Sequence, residues 1–174
     1  MSADMDLSTL IARAREAGLS ELTIDAAEQG HADAQCCLGQ CYMTGDGIEE
    51  DLGQALTWLR KAVEQGHADA QYGMGVSYVR GDGVTQDSVQ ALTWLRKAAE
   101  QGHASAQFKL GVCCRDGFGI LQNYEDAYRW FLKASVGLTG EAKARCDKAK
   151  SDLERDHLTQ SLVCLIYKSA AADE

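Results

Sequence analysis

The chain has 174 residues, 45% hydrophobic and 25% charged, with a formal net charge of -9 and a pI near 4.9. That length suits one domain with a real core. The acidity repels phosphate backbones and anionic headgroups, which argues against nucleic acid and membrane surfaces as partners, and no apolar run long enough to span a bilayer occurs.

The chain starts MSADMDLSTLIARAREAG. It opens acidic and is then broken by Arg13 and Arg15, without the basic and apolar regions of a secretory signal. A cytoplasmic location is the expectation for this sequence as it stands, with a secreted origin as the alternative. Residues 8–17 and 20–29 read as a short, worn helical unit broken at Gly18, so 1–25 are expected to form N-terminal capping helices.

From Ala26 one phrase returns three times: AAEQGHADAQ at 26, AVEQGHADAQ at 62 and AAEQGHASAQ at 98. Between 26–61 and 62–97, 23 of 36 positions are identical; between 62–97 and 98–133, 16 are. A period of 36 residues points to a solenoid of helix pairs, an all-α fold. Proline is absent, so glycine does the chain breaking.

Each unit holds two helical patterns. The first runs from about Ala32 to Thr44 and ends at Gly45-Asp46-Gly47, as the next two end at Gly81-Asp82-Gly83 and Gly117-Phe118-Gly119. Paired glycines allow a tight reversal with positive φ at both, and Ile48, Val84 and Ile120 follow as apolar plugs. The second pattern is DLGQALTWLRKAVEQG, 51–66. Asp51 with Gln54 reads as a capping box, repeated at Asp87/Gln90 and more weakly at Asn123/Asp126. Ala55, Trp58, Leu59 and Ala62 form one apolar stripe. Gly30, Gly66 and Gly102 read as C-cap glycines. Trp58, Trp94 and Trp130 recur at core spacing, so they read as packing residues.

The layout A-x-A-Q-x-x-L-G-x-x-Y-x-x-G-x-G-V followed by A-x-x-W-x-x-K-A resembles the Sel1-like repeat family. It is carried by Ala34, Leu38, Gly39, Tyr42, Gly45, Gly47, Ile48, Ala55, Trp58, Lys61 and Ala62, with their counterparts 36 and 72 residues later. Met74 stands where the pattern has Leu, and Cys114 where it has Tyr. The resemblance implies a right-handed α-solenoid related to tetratricopeptide repeats, of the kind that serves as scaffold or adaptor in bacterial-type systems. The units are 26–61, 62–97 and 98–133. Residues 134–174 would hold a degenerate fourth unit, in which Thr139 aligns with His31, Ala142 with Ala34 and Cys146 with Leu38, and then a capping helix starting after Thr159. Its LVCLIY, 162–167, is apolar nearly all round.

His31, His67 and His103 fall just after a C-cap glycine, in the N-cap slot of the next helix, with Asp33 in the first turn where the helix dipole favours a carboxylate. They read as boundary residues. Packed helices lie about 8–10 Å apart and zinc needs nitrogens at about 2.0–2.1 Å, so histidines one repeat apart are poorly placed to share an ion. Cys36, Cys37, Cys41, Cys113, Cys114, Cys146 and Cys164 follow no zinc spacing and include no C-x-x-C; they read as reduced thiols. Disulfide-rich members of the family carry paired cysteines in both helices of a repeat, whereas Ala62, Ala98 and Ala134 here have no cysteine neighbour. No catalytic motif is present. A non-enzymatic protein with no cofactor and no metal is expected.

Comparison between repeats separates scaffold from surface. Positions 34, 35, 38, 39, 42 and 45 stay nearly fixed and cover one arc of about 140° on the first helix. The varying columns lie opposite, with the 41 column on the border: Cys37/Gly73/Lys109, Gln40/Val76/Val112, Cys41/Ser77/Cys113 and Thr44/Arg80/Asp116. In related helical-repeat proteins the first helices line the concave groove, so these residues are the candidate protein- or peptide-binding surface. The alternatives are a self-assembling unit that forms a homodimer through LVCLIY, and an immunity-type inhibitor of a toxin.

Overall fold

The computed structural model describes residues 21–170, and within them the side chains of 23–156. Among these residues every element is helical: α1 Glu21–Glu28, α2 Ala32–Thr44, α3 Leu52–Glu64, α4 Ala68–Arg80, α5 Ser88–Glu100, α6 Ala104–Asp116, α7 Tyr124–Gly137 and α8 Gly140–Ala170. The chain divides into two compact units, Met1–His103 and Ala104–Glu174. Residues 8–17, read as the first half of a worn repeat, lie outside the described residues.

In the first unit α2 pairs with α3 and α4 with α5. Gly45 and Gly47 have φ of 72° and 70°, and Gly81 and Gly83 have 82° and 69°, so both turns use the left-handed region that a Cβ disfavours. After α3 the cap residue is Gln65, and Gly66 one place later takes the positive φ of 81°.

Only half of each capping box forms. The Asp51 carboxylate accepts from the Gln54 amide, and that of Asp87 from Val89 and Gln90. The reciprocal bond is missing because the backbone N–H of Asp51 donates to Tyr42 O at 2.9 Å and that of Asp87 to Tyr78 O at 3.1 Å. The cap residue therefore ties the second helix to the end of the first. In the second unit Asn123 N bonds Cys114 O at 2.8 Å. The tie uses a backbone carbonyl, so replacing Tyr by Cys at that slot leaves it intact.

Two apolar clusters lie around α2, α3 and α4 of the first unit. Ile24, Ala27, Leu38, Tyr42, Ile48, Ala55 and Trp58 form one. Cys36, Leu56, Leu59, Ala62, Ala70 and Met74 form the other, flanked by Val84 and Trp94. The fixed glycines bring the paired helices close. A Cβ on Gly75 would sit 2.7 Å from Leu95 Cγ, and one on Gly39 would sit 2.9 Å from Leu59 Cγ. Trp58 is fully buried, whereas Trp94 and Trp130 are half-buried. Each indole is covered by the lysine three residues on, with Nζ of Lys61, Lys97 and Lys133 at 4.4, 4.2 and 4.5 Å from the ring centroid.

In the second unit Phe131, Ala127, Ala134, Cys146, Ala149 and Leu153 form the core. The alignment of Cys146 with a core leucine fits: it is fully buried and donates to Phe131 O at 3.1 Å. The expected break near Thr159 is corrected, because α8 runs unbroken from Gly140 to Ala170. No glycine or proline lies between those ends, so nothing in the backbone forces a stop. LVCLIY lies on the backbone of α8, and its side chains are outside the described residues.

Candidate functional site

The varying columns divide by depth. In the first unit Cys37, Gln40, Thr44 and Arg80 are exposed, while Cys41, Gly73 and Val76 are half-buried. In the second, Asp116 is exposed, and Lys109 and Val112 are half-buried. Ser77 and Cys113 are corrections: at 0% and 6% exposure they are closed to a partner. Both belong to the column at the border of the fixed arc, which the packed helices draw into the core. The Ser77 hydroxyl turns back to Gly73 O at 3.1 Å. Arg80 is held only loosely, 3.9 Å from the Asp82 carboxylate, with its side chain 67% exposed.

The histidines do sit at helix boundaries. His31 and His67 are the N-cap residues of α2 and α4. The His31 side chain makes no cap bond. That of His67 does two things: Nδ1 accepts from the Ala70 amide at 3.3 Å, and Nε2 lies 2.8 Å from the Asp33 carboxylate of the preceding repeat. Because Nδ1 accepts, Nε2 carries the proton and donates it to Asp33. His103 Nε2 lies 3.1 Å from Asp69, and its ring stacks on Tyr72 at 4.6 Å between centroids.

A second ladder runs beside the first. Gln65 donates to Gln35 Oε1 and Gln101 to Gln71 Oε1, each at 2.8 Å, and Gln35 donates on to Ala27 O at 3.1 Å. Asp33 and the histidines thus join consecutive repeats as well as ending helices. Their signal in the sequence is co-substitution. Asp33/His67 and Asp69/His103 are each 34 apart, and at the next step Ser105 and Thr139 have both changed.

The thiols are quiet. Cys36, Cys37, Cys41, Cys113, Cys114 and Cys146 are all free. Burial, reinforced by the Asp69 carboxylate, pushes Cys36 up to about 12 from an ordinary 9.0, and burial beside Cys114 pushes Cys113 to about 11. Folding therefore favours the protonated thiols. Their contribution to stability is complete below pH 9 and is lost as pH rises toward 11–12. A denaturant midpoint that falls across that range, and falls less in Cys36→Ala, is the expected result.

Among the described residues no three His, Cys, Asp or Glu side chains converge as metal donors, and no helix is long and apolar enough to cross a membrane. What the geometry offers is a set of helix-pair joints and a face on the first helices whose chemistry changes from repeat to repeat.

The Sel1 repeat family model matches residues 32–67, 68–103 and 104–135. The chain belongs to the Sel1 repeat family. The matched units keep the period of 36 and start at the first residue of each first helix, so the histidine closes one unit just before the next begins.

Similar structures include a Sel1 repeat protein from Oxalobacter formigenes, 33% identical with a TM-score of 0.67, covering 81% of this chain and 59% of that one. A protective antigen of uropathogenic Escherichia coli that displays an SLR fold is 31% identical with a TM-score of 0.64, covering 80% of this chain and 35% of that one. Cysteine rich protein B of Helicobacter pylori, at 19% identity and a TM-score of 0.56, covers 81% of this chain and 97% of that one, and shows the fold alone. The chain thus spans 59% and 35% of the length of the first two. No curated protein matches it. Sel1 repeats generally act as non-enzymatic modules that bind other proteins.

Proposed function

We propose that this Sel1 repeat protein is a cytoplasmic adaptor or regulator that grips one protein partner on the solvent face of its first helices. The observation that carries the reading is the contrast on α2 and α4. One arc is fixed and packed against α3 and α5. The opposite arc is open and changes from Cys37, Gln40 and Thr44 to Val76 and Arg80. Packing does not demand Val76 there, and Arg80 supplies an exposed cation in a chain of net charge -9. A partner segment that places an acidic side chain beside an apolar one suits this face.

In a pulldown from the native host, Arg80→Glu combined with Val76→Asp abolishes partner capture. Arg80 is exposed, so Arg80→Glu shifts the circular dichroism melt by no more than about 0.5 kcal/mol equivalent, while Val76→Asp, at a half-buried position, shifts it further and leaves the protein folded. A variant that stays folded and keeps every partner moves the interface elsewhere.

A further inference from the structure

One face of α7 departs from its counterparts in the earlier repeats. Among the described residues, Val89 is the one large, strongly exposed apolar side chain outside 121–136, whereas that stretch holds Leu121 at 92% exposure, Tyr124 at 38%, Leu132 at 52% and Val136 at 89%. Tyr124, Tyr128, Leu132 and Val136 follow one another in steps of four along α7 and so form one row. In the first two repeats the slots of Leu121, Leu132 and Val136 hold Glu49, Arg60 and Glu64, then Thr85, Arg96 and Glu100. The third repeat has exchanged polar and charged residues for apolar ones at solvent-facing positions, the mark of a surface that another surface covers.

α8 runs antiparallel to α7. Lys143 Nζ donates to Ser135 O at 2.9 Å, the Cys146 thiol to Phe131 O at 3.1 Å, and the Tyr128 hydroxyl to Glu154 at 2.9 Å. The apolar LVCLIY begins at Leu162, eight residues past Glu154, so about 12 Å farther along the helix. Leu132 and Val136 lie four and eight residues from Tyr128 in the opposite direction, about 6 and 12 Å away. Because α8 is unbroken to Ala170, a chain cannot lay its own LVCLIY over its own Leu132 and Val136. A second copy can. We infer that Leu132 and Val136 of one copy take the LVCLIY segment of a second copy, and the reverse, giving a two-fold dimer. Exchange of the same two elements in both directions makes two identical contacts and closes the assembly at two chains. Removal of apolar surface from water on both sides drives it.

Sedimentation equilibrium of the reduced full chain tests this, at about 100 μM, well above a dissociation constant in the micromolar range. Wild type has the mass of a dimer. Leu132→Arg with Val136→Glu places in α7 the residues that the first two repeats carry in the same slots, so it keeps the helical circular dichroism spectrum, and it sediments as a monomer. Ile166→Glu, within the segment, is monomeric as well. A monomeric wild type overturns the exchange. So does a Leu132→Arg/Val136→Glu chain that stays dimeric, even where Ile166→Glu is monomeric, because the segment then pairs with something other than the α7 row.

Discussion

Phe131→Ala lowers the stability of the second unit by about 3–5 kcal/mol, the range for removing a large aromatic from a closed core. Phe131 is fully buried and stands against Phe108, with ring centroids 5.5 Å apart. A Cβ on Gly111 would come within 2.5 Å of its ring, so the helices meet with no slack to fill the void. The repeats supply a control. The equivalent slots hold Leu59 and Leu95, each facing the equivalent glycine, Gly39 or Gly75. Phe131→Leu therefore costs much less than Phe131→Ala. Chemical denaturation of the two variants checks the order, and equal losses would show that the ring's volume is not what holds α6 to α7.

Gly83→Val destabilises the first unit by about 2–6 kcal/mol, from two sources. The first is backbone strain, about 1–3 kcal/mol for a side chain held at unfavourable angles; Gly83 has φ 69°. The second is overlap, about 1–3 kcal/mol for forced packing. A Cβ there would lie 2.9 Å from Leu52 O, 3.1 Å from Leu52 Cβ and 2.8 Å from Leu56 Cδ1. A leucine tip can rotate away, but the carbonyl at the start of α3 cannot. Gly66→Val separates the terms, since Gly66 has φ 81° with nothing within 4 Å of its Cβ position and bears the strain alone. If the two variants lose equal stability, the close approach of the Gly83 turn to α3 carries no energy.

The glycine turns were legible because they rest on local rules. A residue without Cβ is the one that reverses the chain cheaply at positive φ, and Gly45, Gly47, Gly81 and Gly83 all do so. The same holds for the apolar stripe of α3, where Ala55, Trp58, Leu59 and Ala62 are all buried. Of the candidate columns, only the exposure is visible in the fold. Columns 37, 40 and 44 emerge exposed or half-buried, but the border column did not hold, because one angular step on a helix decides between solvent and core. Ser77 and Cys113 fell on the inner side of that step.

The sequence by itself determined the family, the helix pairs and their 36-residue period, since the helix patterns follow from residues within one repeat and the period from the return of one phrase at 26, 62 and 98. What only the tertiary structure decided lies in the packing of one helix on another. Asp33 could be read as a first-turn carboxylate, and His67 as a helix start, from sequence alone. That they bond to each other follows from the stacking of α2 and α4, which brings residues 34 apart to 2.8 Å. The half-formed capping boxes have the same origin, because the Asp51 amide can reach Tyr42 O only once α3 has folded back on α2. The unbroken α8 shows the limit from the other side. A degenerate fourth unit followed by the apolar LVCLIY suggests a new helix after Thr159, but a helix stops only where the backbone or a packed neighbour makes it stop, and the stretch to Ala170 contains no glycine or proline to do so.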